Sequence, residues 1–376
     1  EGVMGLFDGI GSSSKGSTAA LAKELNLPVV LVLDARGQAA SIGALIEGFK
    51  NKDPEISLAG VVINRVNSDR HQNLLEEVIH SMGINVLGCI PNDPLLEIEC
   101  SHLGIAPQHE IRDLESRISL WSKFAEKNLN IESFLPLLKP PSFQRNPIEK
   151  IIEFNKINFP KKELPIAVAE DNSFHFRYPE TKELLEKLNM PVLKWSPLNN
   201  EEIPPEARGI ILPGGFPEEY AQQLSASKRS IRSIRSKYKK IPIYAECGGM
   251  IFLGNELTNS NGSTYPMVKL LPFRSRKGSL KVGYRSLKAI NNSLIVSKGD
   301  NLMGHEYHRW ELKNQSPEIK TELKSTWEIN GWGINSKKEG LCNKSIHASW
   351  IHLHWPSNVK LTKQWVSSVS NFKPPD

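Results

Sequence analysis

Short runs of aliphatic and β-branched residues alternate with helix-like segments along most of the chain, and this alternation limits the fold more than any other feature. In the first part the apolar runs are residues 28–34, 58–64 and 84–90, with helical spacing over residues 39–50 and 69–82. Runs of this length are too short for buried helices and are typical of buried parallel strands. Strands that alternate with helices form βαβ units, so the sequence predicts an α/β fold with parallel sheets.

A proline-rich break separates this series from a second one. Residues 138–164 contain several prolines and only one modest helical segment, so we interpret them as a connection between domains. The alternation then resumes, and after Tyr265 it changes to short strands with glycine turns, which indicate an antiparallel extension. Because 376 residues exceed one ordinary core, the sequence predicts two domains, residues 1–137 and residues 165–376.

Composition excludes several classes of protein. The chain has no run of about 18 apolar residues, which excludes a membrane-spanning helix. Its net charge of +6 comes from 47 basic and 41 acidic residues without a long basic block, which argues against nucleic-acid binding. The four cysteines have no CxxC or CxxH spacing. This argues against a disulfide scaffold or a zinc ribbon and favours a reducing cytoplasm.

The segment Ile-Tyr-Ala-Glu-Cys-Gly-Gly-Met, residues 243–250, is the strongest chemical signal. A strand leads directly into Cys247, and two glycines and an apolar helix follow. This order is typical of a nucleophile elbow, in which a tight turn exposes a reactive side chain and the helix N-terminus favours a thiolate. A lone cysteine is most often a buried core residue, but this context favours Cys247 as a nucleophile.

Two further motifs could complete a cysteine hydrolase. Leu-Pro-Gly-Gly-Phe-Pro-Glu, residues 212–218, also lies between a strand and a helix, so its N–H groups could form an oxyanion hole. An ordinary strand–helix turn is the alternative. His352 and His354 follow a strand-like run near the C-terminus. Such a pair could bind a metal, but no third ligand at suitable spacing is apparent, so one of the two is the better candidate for a general base.

Together with Gly-His-Glu-Tyr-His at residues 304–308 and His-Leu-His-Trp at residues 352–355, these motifs resemble the cobyrinate a,c-diamide synthase family. The segments at residues 1–9, 16–19 and 62–66 are similar to the family's N-terminal half, so the resemblance covers essentially the whole chain in order. The family joins an ATP-dependent amide-forming domain of the dethiobiotin-synthetase type to a class I glutamine-amidotransferase-like domain. The resemblance therefore implies two doubly wound α/β domains, the first a P-loop NTPase-like parallel sheet that here lacks its first strand and P-loop.

For the second domain, the resemblance implies glutamine hydrolysis. Cys247 would attack the side-chain amide of glutamine, and N–H groups at Gly215 and Gly248 would bind the oxyanion. His352, in preference to His354, would transfer the proton. In other class I amidotransferases a Glu follows the His by two residues, and here that position is His354. The third member of the catalytic set is therefore missing or comes from elsewhere in the chain.

For the first domain, the resemblance implies that ATP activates a substrate carboxylate, which ammonia then converts to an amide. The implied cofactors are Mg²⁺ and ATP as co-substrate. The implied site residues are Glu1 for Mg²⁺, Asp8 near the metal or substrate, Asn64 for the adenine base, and Gly16, Ser17 and Thr18 for a substrate carboxylate or a phosphate. A plain helix cap is the alternative for residues 16–18. Asp34 ends a predicted strand and is either a site residue or a turn residue.

The sequence departs from the family pattern at the P-loop. No Gly-x-x-x-x-Gly-Lys-[Ser/Thr] occurs in the chain, and the nearest segment, residues 11–17, is unrelated. A P-loop supplies the main triphosphate contacts. We therefore expect that an N-terminal segment has been lost, that synthetase activity is low or absent, and that glutaminase activity is retained.

Alternative functions remain open at this point. The motifs do not separate a corrin substrate from nickel sirohydrochlorin, and a catalytically impaired binding protein of the same fold is also compatible with the missing P-loop. The expected partners are small molecules (cobyrinic acid, glutamine and ATP), with neither nucleic acid nor membrane, and a homodimer is left open. Residues 304–308 have metal-like residue types, but we do not interpret them as a metal site.

Overall fold

The computed structural model describes residues 1–2, 4–98, 111–138, 145–157, 159–314 and 322–374. The chain divides into two compact units, Glu1–Ser142 and Phe143–Asp376. Cys100 and parts of the predicted connection, residues 139–144 and 158, lie outside the described residues. In the described ranges, no helix is long and apolar enough to cross a membrane.

The first unit contains a parallel sheet of three strands in its described part, β1 (Val29–Asp34), β2 (Leu58–Val66) and β3 (Val86–Pro91). Their order in the sheet is β1-β2-β3. The helices are α1 (Thr18–Glu24), α2 (Ser41–Lys52), α3 (Asp69–Ser81), α4 (Leu114–Asn128) and α5 (Ile131–Phe134), with 3-10 turns at Pro94–Leu96 and Leu135–Leu137. The predicted strands and helices of this region are confirmed to within a few residues.

One face of this sheet carries the core of the first unit. Leu31 and Leu33 of β1 are buried in one cluster with apolar residues of α2 and α3, among them Ile42 and Ile79. The alternate residue Val32 is 62% exposed, so β1 is buried on one face only in the described part of the unit. Parallel pairing of β1 with β2 brings the two carboxyl ends to the same edge of the sheet.

The second unit has a larger mixed sheet. The strands are β4 (Ile166–Ala169), β5 (Val192–Trp195), β6 (Gly209–Leu212), β7 (Ile243–Glu246), β8 (Glu256–Thr258), β9 (Thr264–Pro266), β10 (Phe273–Ala289), β11 (Asn301–Asn314), β12 (Lys324–Gly331), β13 (Ile334–Cys342) and β14 (Ile346–Ser349). The parallel part of the sheet has the order β5-β4-β6-β7-β14, and an antiparallel part continues through β13, β12 and β10. The helices are α6 (Pro147–Phe154), α7 (Pro179–Lys187), α8 (Ala221–Ala226), α9 (Lys228–Lys237), α10 (Gly248–Leu253) and α11 (Val359–Ser370). The predicted antiparallel extension is confirmed.

Both faces of the central parallel strands are covered. Ile210 and Ala245 lie in one buried cluster, whereas their neighbours Ile211 and Tyr244 lie in another. This double burial explains why these strands are apolar throughout. The fold class predicted from the sequence, an α/β chain with parallel sheets, is confirmed.

The predicted connection contains part of the second core. Helix α6 begins with Asn146 as its N-cap, whose side chain accepts hydrogen bonds from the N–H groups of the first turn. Ile148 and Ile152 of α6 are buried in the same cluster as Trp365 of α11. Most of the residues that we interpreted as a linker therefore belong to the second compact unit.

Candidate active site

Cys247 lies at the junction between β7 and α10, in the predicted strand–turn–helix. Its backbone angles, φ 43° and ψ −104°, fall outside the usual regions for a residue with a side chain, which is typical of strained turns at functional sites. The N–H of Cys247 donates to the carbonyl oxygen of Ser349 at 2.8 Å, so the end of β14 supports the turn. The side chain is 6% exposed.

Gly215 and Gly248 lie side by side next to Cys247. A Cβ atom built on Gly248 would lie 3.0 Å from the nitrogen of Gly215 and 2.8 Å from its carbonyl oxygen. Gly215 has φ +156°, and a Cβ there would lie 2.1 Å from the carbonyl oxygen of Ser173, so only glycine fits. Among the described residues, neither the N–H of Gly215 nor that of Gly248 donates a hydrogen bond. Two N–H groups that donate no hydrogen bond within the described part of the chain therefore lie close to Cys247.

His352 follows β14 and is 2% exposed. Its Nδ1 lies 3.6 Å from Oε2 of Glu246. Burial lowers the pKa of His352, but the charges and hydrogen-bonding capacity of Cys247 and Glu246 outweigh burial and raise it to about 10. The structure therefore favours a charged imidazolium at His352, next to Cys247.

Glu246 is the acidic neighbour of His352. The sequence did not identify this neighbour, because His354 stands where other class I amidotransferases have a glutamate. Its carboxylate accepts hydrogen bonds from the hydroxyl of Tyr244 and, at 3.2 Å, from the N–H of Leu353. The side chain is 8% exposed and lies against Nδ1 of His352. A glutamate that ends a fully buried strand needs a partner, and the sequence placed Glu246 directly before Cys247 but did not identify that partner.

The ring of His352 is enclosed by close neighbours. The ring of Phe176 meets it edge-on with centroids 5.0 Å apart, and a Cβ on Gly214 would lie 2.5 Å from its Cε1 atom. His354 is instead half-buried, and its ring packs edge-on against Tyr178 at 5.1 Å. The structure thus brings His352, and not His354, next to Glu246. The role of His352 as the base stays a prediction.

In the first unit, Ser17 is a helix cap. Its hydroxyl oxygen accepts a hydrogen bond from the N–H of Ala20 at 3.1 Å, and Ser17 is buried at the start of α1. A Cβ on Gly2 would lie 2.6 Å from Oγ1 of Thr18, so the first residues of the chain pass beside this turn. Gly16 has φ +75° and is exposed. The predicted substrate contacts of residues 16–18 stay predictions, and the capping interpretation accounts for the Ser17 hydroxyl.

Asp34 and Asn64 are brought together at the carboxyl edge of the first sheet. Asp34 pairs with Arg36 at 2.9 Å and with Arg65 at 2.8 Å. Hydrogen bonds from the backbone and side chain of Arg36, together with Arg65, lower the pKa of Asp34 to about 2. The side-chain oxygen of Asn64 accepts from the N–H of Arg65 at 2.9 Å. Contact of Asn64 with adenine stays a prediction.

The predicted Mg²⁺ residues do not form a metal site by themselves. Glu1 and Asp8 are exposed, and one carboxylate oxygen of Asp8 accepts from the N–H of Gly5 at 3.0 Å. Over the ranges that the structure describes, no group of three or more His, Cys, Asp or Glu side chains could hold a metal ion. Proteins usually hold Mg²⁺ with one or two carboxylates together with water and phosphate oxygens, so the contact of Glu1 with Mg²⁺ stays a prediction.

Comparison with known proteins gives the family. The CobB/CobQ-like glutamine amidotransferase domain matches residues 165–359, and an AAA domain matches residues 1–99. Cobyrinate a,c-diamide synthase from Caldanaerobacter subterraneus subsp. tengcongensis is 35% identical over 99% of this chain and 80% of that protein. The chain belongs to the cobyrinate a,c-diamide synthase family. The proteins of the same name from Synechocystis sp. and Gloeobacter violaceus are 31% and 35% identical, over 99% and 97% of this chain and 77% and 78% of theirs.

Membership in the cobyrinate a,c-diamide synthase family confirms the predicted enzyme class, a glutamine-hydrolysing carbon–nitrogen ligase. The amidotransferase match contains Cys247 and His352, the two residues predicted to be catalytic. The AAA match covers the residues predicted to bind nucleotide and substrate, and it supports ATP as a substrate. Sequence reasoning missed Glu246, as well as the contact of Phe176 with His352, because both depend on packing between distant segments.

Proposed function

We propose that this protein is a cobyrinate a,c-diamide synthase, which converts the a and c carboxylates of cobyrinic acid to amides with ATP and with ammonia from glutamine. The observation that carries the proposal is the buried contact of His352 with Cys247 and Glu246, beside the N–H groups of Gly215 and Gly248. The names and coverage of the relatives support the substrate.

The first half-reaction forms a thioester. The sulfur of Cys247 attacks the side-chain amide carbon of glutamine, and the N–H groups of Gly215 and Gly248 stabilise the oxyanion that develops. The imidazolium of His352 then gives its proton to the amide nitrogen. The carbon–nitrogen bond breaks, ammonia leaves, and a glutamyl thioester remains on Cys247.

The second half-reaction returns the free enzyme. His352, now neutral, takes a proton from a water molecule that attacks the thioester carbon, and the carbon–sulfur bond breaks to release glutamate. The sulfur departs as the thiolate, which restores the pair with the protonated His352. Glu246 keeps the imidazole in one orientation and stabilises its charged form, because its carboxylate lies against Nδ1.

The first unit would carry out the synthetase reaction. The substrate carboxylate takes the terminal phosphoryl group of ATP, with release of ADP, and ammonia then displaces phosphate to form the amide. We assign Asn64 to adenine, Asp8 and residues 16–18 to substrate or phosphate, and Glu1 to Mg²⁺. The metal would neutralise phosphate charge there.

Glutamate release from glutamine tests the hydrolytic half. We expect Cys247→Ala to abolish it, whereas Cys342→Ala, which removes a buried thiol from the same unit, retains it. Equal release by the wild type and Cys247→Ala would contradict the assignment. Thermal unfolding of both variants controls for loss of structure.

Mass spectrometry of the product tests the substrate. The protein is incubated with ATP and either cobyrinic acid or nickel sirohydrochlorin, and nitrogen is supplied as glutamine or as an ammonium salt. Because the chain has no P-loop, we expect little product, and we expect it to be amidated cobyrinic acid with either nitrogen source in the wild type and with the ammonium salt alone in Cys247→Ala. Amidation of nickel sirohydrochlorin but not of cobyrinic acid would contradict the corrin assignment.

A further inference from the structure

Residues 304–308 lie within β11 and contact the segment that carries His352. The ring of His305 stacks on the ring of His352, with centroids 5.1 Å apart and planes 19° from parallel. The two residues also exchange backbone hydrogen bonds: the N–H of His352 donates to His305 at 2.8 Å, and the N–H of His305 donates to His352 at 3.2 Å. Side-chain stacking and backbone pairing therefore fix His305 and His352 to each other.

The other face of β11 anchors the strand. Glu306 pairs with Arg285 at 2.7 Å, and both side chains are almost fully buried. The ring of His308 stacks on Trp350 with centroids 3.8 Å apart. Trp350 precedes His352 by two residues. Residues of β11 therefore contact segment 350–352 at its first and last residues. Neighbouring residues of a strand point to opposite faces, so residues 304–308 can place His305 on one face of β11 and Glu306 on the other.

The stacked ring of His305 is uncharged at neutral pH. Burial, together with the charge of His352, lowers the pKa of His305 to about 4. The titratable groups that affect the pKa of His352 are Cys247 and Glu246, and His305 lies on its face. A neutral aromatic face next to the imidazolium adds contact without adding a second positive charge.

We propose that His305 is a positioning residue, whose stacked ring holds the imidazole of His352 in the plane that faces both Cys247 and Glu246. Glu246 orients the Nδ1 edge of the ring at 3.6 Å, and rotation of the ring about the axis through that edge is the motion that an edge contact restrains least. The parallel face of His305 opposes that rotation. This inference rests on the proposed glutaminase for its kinetic consequence, but its geometric part can be tested without glutamine.

Two substitutions separate an aromatic face from simple space filling. His305→Leu fills much of the volume without a flat ring, and His305→Phe keeps the ring without a titratable group. Iodoacetamide labelling of the peptide that contains Cys247, followed by mass spectrometry across pH, measures how well His352 supports the thiolate. We expect His305→Leu to react roughly tenfold more slowly than the wild type at neutral pH, with its midpoint at higher pH, and His305→Phe to resemble the wild type.

Steady-state kinetics with glutamine complete the test. We expect His305→Leu to lower kcat roughly tenfold with KM changed less than about twofold, and His305→Phe to restore kcat. Wild-type labelling and kcat in a folded His305→Leu variant would overturn the proposal. So would a rise in KM shared by both variants with unchanged labelling, because His305 would then contact glutamine directly. If the wild type hydrolyses no glutamine but the labelling difference holds, the proposed function fails and the positioning role stands.

Discussion

The carboxyl ends of the parallel strands differ sharply between the two units. In the second unit, the ends of β7 and β14 bring Glu246, Cys247 and His352 into contact, and all three side chains are buried. In the first unit, the ends of β1 and β2 bring Asp34 beside Asn64, but Asp34 is exposed and pairs with exposed arginines. The carboxyl ends of the parallel strands therefore hold buried, mutually contacting side chains in the second unit and an exposed ion pair in the first.

The two sites therefore differ in how firmly contacts within the protein hold their side chains in place. The groups around Cys247 are buried and contact each other, and this environment raises the pKa of His352 to about 10. In the first unit Asp8 and Asp34 are exposed, and the side-chain hydrogen bonds of Asp8 and Asn64 go to backbone N–H groups within three residues. Substitutions should therefore have large, specific effects in the second unit and small effects in the first.

The largest effect is expected from Glu246→Gln, which keeps the shape of the side chain and removes its charge. Loss of the carboxylate lowers the pKa of His352 and leaves its orientation less constrained, so we expect kcat for glutamine hydrolysis to fall by roughly 10³-fold. Glu311→Gln, at an exposed pair of β11, is the matched control and should retain activity. Retention of wild-type kcat by Glu246→Gln would remove Glu246 from the catalytic set.

A steric substitution contrasts the two units directly. In Gly214→Ala the new Cβ would lie 2.5 Å from Cε1 of His352, so the imidazole must move, and we expect kcat to fall by roughly 10²-fold. Gly48→Ala lies in α2 with nothing within 4 Å, and we expect it to stabilise the first unit by about 0.5–1 kcal/mol. Glutamine hydrolysis and urea unfolding measure the two effects. Equal activity of both variants would show that the packing around His352 is not restrictive.

The strands and helices could be predicted from the sequence because each depends on local periodicity. The run at residues 58–64 lies within β2, and the helix predicted over 69–82 is α3. Exposure of Val32 was not predicted, because an apolar run alone does not tell which face a neighbouring helix covers. Local pattern thus gives the elements but not the burial of every face.

The site was only partly predictable because its contacts join distant segments. The elbow around Cys247 is a local motif, so its strand, turn and helix follow from eight consecutive residues. The order of the sheet places β14 between β7 and β13, and no local signal specifies that pairing. Only this order brings His352 next to Glu246 and His305.

A buried carboxyl group that is not part of the proposed chemistry gives a smaller effect. Glu339 accepts hydrogen bonds from the Ser349 hydroxyl at 2.6 Å and from the Trp350 N–H at 2.8 Å. Burial raises the pKa of Glu339 to about 7 despite these bonds. The folded state therefore holds a proton that the unfolded state has released, so stability falls as pH rises between the two pKa values, by at most about 1.4 kcal/mol per pH unit.

We expect Glu339→Gln to remove this part of the pH dependence, because a glutamine does not titrate. Relative to the wild type, the unfolding free energy of Glu339→Gln should then increase as the pH rises from about 4.5 to 7. Urea unfolding across pH measures it. Glu202→Gln, at an exposed pair with Arg229, is the control, and a slope equal to that of the control would contradict the buried titration.

The smallest effect is expected from Asp34→Asn in the first unit. The arginine contacts hold the pKa of Asp34 at about 2, below that of the unfolded chain. Its stabilising contribution is therefore present above about pH 4 and is lost as the pH falls through 2. Because the group is exposed, we expect only a slight drop in the unfolding midpoint at pH 7, further reduced in about 1 M salt, and unchanged glutamine hydrolysis. A large loss of stability or of glutaminase would mean that this open edge is as tightly organised as the site around Cys247, and the contrast between the two units would fail.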